Sequence, residues 1–131
     1  MIAVDSSAIL AILLEENDAA LYANRLFQQR DRLIGAPTLL ECHFVVFARY
    51  NVEGVDLLNG FVSRAGLSVV EFGRNELAAA IDARIRYGRG SGHKAQLNFG
   101  DCFSYALART RNLPLLYKGD DFVHTDIEAA I

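Results

Sequence analysis

The chain has 131 residues, 52% of them apolar, which is enough to bury a core in one domain without disulfide or metal staples. Its net charge of −3 excludes a surface coated in positive charge for nucleic acid and leaves room only for a local basic groove. Cys42 and Cys102 form no CxxC or CxxH spacing, so neither a zinc site nor a disulfide framework is implied; the apolar run Ala8 to Leu14 is too short to span a bilayer, so a cytoplasmic chain with no membrane segment is expected.

In chain order, Ile2 to Val4 reads as a short buried strand and Ser6 to Leu14 as a helix that starts directly after it. Asn17 to Arg30 places Leu21, Tyr22, Leu26 and Phe27 on one side of an amphipathic helix. Ile34 to Ala36 is a second strand ending at Pro37, and Thr38 is the expected N-cap of a helix to about Tyr50, with Glu41 at N3 completing a capping box. Asp56 to Ala65 is a further helix, Ser68 to Phe72 a strand, and Asn75 to Tyr87 a helix capped by Asn75. Gly88 to Lys94 is a loop by composition, Gly100 to Arg111 a helix, and Leu113 to Tyr117 a last strand. No repeat or linker divides residues 1–131, so a single domain is expected. Strands alternating with helices predict an α/β fold of three layers, with a central parallel sheet of four or five strands covered on both faces.

In such sheets ligands bind beyond the carboxyl ends of the strands, and here those positions are acidic. Asp5 follows the first strand, Asp101 opens the late helix, and Lys118-Gly119-Asp120-Asp121-Phe122 follows the last strand. Each has a plainer reading: Asp5 and Asp101 as ordinary N-caps, Asp120 and Asp121 as turn residues. Glu41 sits on an apolar stripe with Phe44, Val45 and Ala48, and its rival role is the capping box with Thr38. As a set they carry more weight, because carboxylates converging on one pocket repel one another unless a cation neutralises them. Hard oxygen ligands without His or Cys favour Mg²⁺ or Mn²⁺, ions that polarise a phosphate oxygen and activate water.

Val4-Asp5-Ser6-Ser7-Ala8, Glu41, Gly100-Asp101-Cys102, and Leu116 to Phe122 followed by His124-Thr125-Asp126-Ile127 together resemble the PIN-domain pattern, most closely that of VapC toxins. The similarity runs over the whole chain. It implies a PIN version of the parallel α/β sheet and a metal-dependent ribonuclease of a toxin-antitoxin module. It also implies that Asp5, Glu41, Asp101 and Asp121 form the catalytic metal quartet, with Ser7 supporting the site. Between the adjacent Asp120 and Asp121 the choice stays open, with Asp121 matching the acid that precedes the aromatic residue. A homodimer inhibited by a VapB-like antitoxin is a further implication of the resemblance.

Residues 83–100 contain no acid but carry Arg84, Arg86, Arg89 and Lys94, a candidate approach for RNA phosphates that runs from a helix end into the adaptable Gly88 to Gly92 loop. A solvated helix end followed by a mobile loop is the alternative. The apolar faces of Leu21 to Phe27 and of Phe44, Phe47 and Tyr50 with Leu57, Leu58, Phe61 and Val62 exceed the needs of a small core; most of this surface is expected to be core, and what remains would serve a homodimer and a groove for a partner helix. Three rivals compete with the nuclease reading. A haloacid-dehalogenase-type phosphatase needs a second Asp where Ser7 stands. A receiver-like domain needs a central phosphoacceptor Asp that is missing. A PIN scaffold that only binds RNA or protein would not need all four acids.

Overall fold

A computed structural model describes residues 1–131. The elements are β1 (Ile2–Val4), α1 (Ser6–Leu13), α2 (Ala19–Phe27), β2 (Arg32–Gly35), α3 (Ala36–Arg64), β3 (Leu67–Val70), α4 (Arg74–Tyr87), α5 (Phe99–Arg111) and β4 (Leu115–Leu116). The strands form one parallel sheet in the order β3-β2-β1-β4, with Ala3 opposite both Leu33 and Leu115. The expected three-layer α/β architecture is present, with four strands.

β1 is apolar and buried at every position, and β2 after Arg32, because both sheet faces are covered there. Alternation along β1 divides the core into two layers. Ile2 and Val4 pack with Ile34 and Leu116 against Ile9, Leu26 and Leu58 of α1, α2 and α3. Ala3 packs with Leu33 and Leu115 against Ala83, Tyr105 and Leu107 of α4 and α5. The order places the end of β1, between β2 and β4, where the loops following three strands meet.

Several boundaries differ from the sequence expectation. α3 starts at Ala36 with Gly35 as N-cap and Pro37 in its first turn, so Thr38 is not a cap and the Thr38–Glu41 capping box does not form. Pro37 opens the helix instead of closing the strand, because its fixed φ suits a first turn. The helices expected at Thr38 to Tyr50 and Asp56 to Ala65 abut, separated only by Asn51 at φ 56° and ψ −141°. Gly54 permits that join: a Cβ there would collide with the Val46 carbonyl. α4 is capped at Gly73, not Asn75, and the Glu76 carboxylate accepts the Gly73 N–H at 3.0 Å. β4 shrinks to two residues, with the carbonyl of the preceding Pro114 accepting the Ala3 N–H. Both cysteines are free and buried, and no helix is long and apolar enough to cross a membrane.

Candidate metal centre

Asp5 leaves the end of β1 as the N-cap of α1. Its Oδ2 accepts the Ser7 N–H at 3.0 Å and the Ser7 hydroxyl at 2.6 Å, and its Oδ1 accepts the Ser104 hydroxyl at 2.5 Å. Ser7 Oγ in turn accepts the Lys118 N–H at 2.9 Å, which ties the loop after β4 to the end of β1. The Lys118 ammonium is anchored by Glu16 and Asp18 from the segment between α1 and α2. A carboxylate only 4% exposed is thus held by two hydroxyls and an amide, as burial demands.

Asp101 is 7% exposed and lies at N3 of α5, not at its N-cap. Asn98 takes the cap: its Oδ1 accepts the Asp101 N–H at 2.9 Å while Asp101 Oδ2 accepts the Asn98 N–H at 3.0 Å. Burial pushes the Asp101 carboxyl up to about 7; the Asn98 N–H opposes this, while the charges of Asp121 and Asp5 and hydrogen-bonding contact with Asp121 reinforce it. Of the adjacent pair in the loop after β4, Asp121 faces Asp101, whereas Asp120 acts on the Tyr117 phenol.

Glu41 is exposed near the start of α3, its carboxylate lying against Gly100 so closely that a Cβ there would collide with it. The buried Cys42 thiol is pushed far up, first by burial and then by the charges of Asp5 and Glu41. The apolar stripe carrying Glu41 is not core: Phe44 and Val45 are exposed and line an outward groove with Leu40, Phe99 and Phe103. The four acids therefore gather at the strand ends, Asp5 and Asp101 as a buried floor and Glu41 and Asp121 as an exposed rim.

No three of these side chains form a ready-made ligand cage. Mg²⁺ does not require one, since it keeps several waters and takes only one or two direct carboxylates in sites of this kind. An all-carboxylate donor set in which one acid is driven toward neutrality by burial first and by its acidic neighbours after it fits a hard divalent cation, which would remove the part of that cost that is repulsion.

A PIN domain model matches residues 2–128. The chain belongs to the PIN domain family. It is 43% identical over 128 residues to the VapC ribonuclease Mb0625 of Mycobacterium bovis and to ribonuclease VapC28 of Mycobacterium tuberculosis, covering 98% of this chain and 96% of each relative. Ribonuclease VapC30 of Mycobacterium tuberculosis is 40% identical over 124 residues, covering 95% of this chain and 94% of the relative. Among solved structures, Mycobacterium tuberculosis VapC20, described as a Sarcin-Ricin loop cleaving toxin, superposes with a TM-score of 0.76 at 15% identity, covering 97% of this chain and 96% of that one. VapBC2 from Rickettsia felis, bound to a DNA fragment from its promoter, gives 0.75 at 16% identity, covering 98% and 96%.

The basic residues flanking this PIN site divide in two. Arg84 and Arg89 line a groove of about 690 Å³ between α4 and α5, beside Phe72, Phe99 and Cys102, and neither is paired with an acid. Arg86 is committed elsewhere, to Asp82 at 3.1 Å and Asp126 at 3.7 Å, with its guanidinium also over the Tyr87 ring. Lys94 is exposed on the loop before α5. That loop is pinned: Leu97 N–H donates to the Tyr87 carbonyl at 2.7 Å, and Arg89 N–H to the Leu97 carbonyl at 3.1 Å. His93 accepts the Ala95 N–H through Nδ1 and stands edge-on to Tyr87, so its part is structural.

Of the residues that support the acids, Asn98 and Ser104 are not singled out by sequence reasoning, in which Thr38 is the expected helix cap and Lys118 has no part beyond its place in the motif. A usable signal existed for Ser104, which lies three residues after Asp101 and so shares its helix face.

Proposed function

We propose that this PIN domain is a Mg²⁺- or Mn²⁺-dependent endoribonuclease, acting in the cytoplasm as the toxin of a VapBC-type toxin-antitoxin module. One observation carries the reading: a buried acid, Asp101, raised to about 7 by burial and by its neighbours Asp121 and Asp5, at the ends of parallel strands. Such a site stores repulsion that a divalent cation relieves. The names of the relatives, ribonucleases at 43% identity over nearly the whole chain, point to RNA as substrate.

In this reading Asp5, Glu41, Asp101 and Asp121 hold the cation. When bound, the cation supplies charge neutralisation for the scissile phosphate and activation of water for in-line attack. The chain's own residues do the rest. Ser7 and Ser104 fix the plane of the Asp5 carboxylate, and the Asn98 cap fixes Asp101. Arg84, Arg89 and Lys94 supply the positive approach for the phosphates on either side of the cut. Arg86, already paired twice, takes little part in it.

A VapB-like antitoxin is the partner, as the VapBC complexes among the similar folds suggest. Phe99, 82% exposed, meets the Phe103 ring edge to face between two apolar grooves, one toward α3 and one toward α4, beside the acids. Those two faces supply surface for an antitoxin segment and for a homodimer.

The test is incubation of purified protein with total RNA, with and without EDTA, beside Asp5→Asn and Asp101→Asn variants. Cleavage should require the divalent cation and both acids. Cleavage that persists in EDTA, or in both variants, would sink the mechanism.

A further inference from the structure

Ser104 is a serine where a buried helix position would ordinarily favour alanine. It is 1% exposed in the middle of α5, and alanine would be the better helix former with no hydroxyl to desolvate. Its single O–H is donated to Asp5 Oδ1 at 2.5 Å, across a sequence separation of 99 residues. Its oxygen lies 3.4 Å from the hydroxyl of Thr38, also 1% exposed. With the Ser104 proton committed to Asp5, the Thr38 hydroxyl is the donor in that second contact.

The terminal torsion of an aspartate is broad and roughly two-fold, so a lone carboxylate at a strand end rotates readily. Here each oxygen receives a hydroxyl: Oδ2 from Ser7, Oδ1 from Ser104. With the Ser7 N–H also on Oδ2, these bonds fix the carboxylate plane and, of the about four acceptor sites of an ionised carboxylate, leave one free on Oδ1 to face a cation. Ser104 also stands one helical turn beyond Asp101 on the same face of α5. A single rigid helix thus carries Asp101 and the clamp on Asp5, so the spacing of the two floor acids is set by α5 and not by the loops.

We propose that Ser104, braced by Thr38, is a positioning residue that orients Asp5 toward a divalent cation and couples its placement to that of Asp101. The inference rests on the metal-site reading above. Partners that orient metal ligands contribute roughly 10–100-fold in metal affinity, so loss of this hydroxyl has a measurable effect on binding itself.

The experiment measures Mn²⁺ affinity of metal-stripped protein by titration calorimetry, with electron paramagnetic resonance of free Mn²⁺ as a second readout. Wild type, Asp5→Asn, Ser104→Ala and the Asp5→Asn/Ser104→Ala double variant are compared, each with its Tm in EDTA. Ser104→Ala should weaken Mn²⁺ binding about tenfold. Whatever affinity Asp5→Asn retains should not fall further when Ser104→Ala is added, because the hydroxyl acts through Asp5. An unchanged Mn²⁺ affinity in Ser104→Ala, with only the EDTA Tm lowered, would overturn the proposal and leave a purely structural serine. If Ser104→Ala does not fold, Thr38→Val decides: it removes the brace without touching Asp5 and should weaken Mn²⁺ binding by a smaller factor, and unchanged affinity there overturns the proposal. Wild-type protein that takes up no Mn²⁺ would overturn the metal-site reading together with this one, an outcome distinct from an insensitive Ser104.

Discussion

The carboxylates of Asp101 and Asp121 face one another across the gap between α5 and the loop after β4, and the buried member, Asp101, is pushed up to about 7. Burial is the first cause, and the negative charge of Asp121 and Asp5 adds to it. An acid whose folded value lies above its ordinary 3.8 keeps a proton that the unfolded chain gives up. Its contribution to stability is therefore intact below about pH 4 and is lost as the pH rises toward and through 7. In EDTA, Asp101→Asn should raise Tm relative to wild type more at pH 8 than at pH 5, and Mg²⁺ should stabilise wild type most at pH 8. Thermal melts across that range check this; an Asn effect equal at both pH values would remove the buried-acid argument.

The same relationship separates two neighbours that the sequence leaves equivalent. Asp121 acts on Asp101, while Asp120 acts on the Tyr117 phenol and is exposed. Asp121→Asn should lower Mg²⁺-dependent RNA cleavage by at least the roughly 10–100-fold that loss of a supporting partner costs in metal sites. Asp120→Asn should leave cleavage nearly unchanged. Initial rates at saturating Mg²⁺ compare the two, and a larger loss in Asp120→Asn would reverse the assignment.

Gly100 offers a way to move Glu41 without touching it. The residue lies in the first turn of α5, where alanine would favour the helix by up to about 1 kcal/mol. Its Cβ, however, would occupy the space of the Glu41 carboxylate, the free end of a flexible side chain. Gly100→Ala should therefore fold with a Tm equal to or above that of wild type and lose activity, because Glu41 swings away from the other acids. Full activity with an unchanged Tm would show that Glu41 need not stay where it is seen.

How much of this could be read from residues alone follows the range of the interactions. The buried strands announce themselves as short apolar runs, Ile2 to Val4 and Leu115-Leu116, and Asp5 is visible because it comes directly after the first. Local capping was harder: Asn98, Gly100 and Asp101 are all plausible first-turn residues, and the reciprocal Asn98–Asp101 bonds make Asn98 the cap. Pro37, expected to end a strand, opens α3, and the two helices expected to end at about Tyr50 and to start at Asp56 are parted by a break at Asn51 alone. The long-range bonds left little trace. Nothing near Asp5 indicates that its second hydroxyl comes from Ser104, and nothing near Arg86 indicates Asp126, although the Asp82 pairing is an ordinary i, i+4 spacing.

That difference among the arginines yields the last prediction. Arg84 and Arg89 face the groove beside Asn98 and Cys102, whose thiol is pushed up by burial and by Asp101, with the positive charge of Arg84 opposing the rise. Arg86, by contrast, spends its guanidinium on Asp82, Asp126 and the Tyr87 ring. Each phosphate contact contributes about one unit to the slope of log binding constant against log salt. Arg84→Ala and Arg89→Ala should each weaken binding of a short RNA to the Asp101→Asn protein and flatten its salt dependence, whereas Arg86→Ala should leave the slope alone and lower Tm. Fluorescence anisotropy over a salt series, paired with thermal melts, reads both. A slope that falls in Arg86→Ala as much as in Arg84→Ala would mean that the ion pairs of Arg86 open to admit RNA and that the whole basic segment acts as one surface.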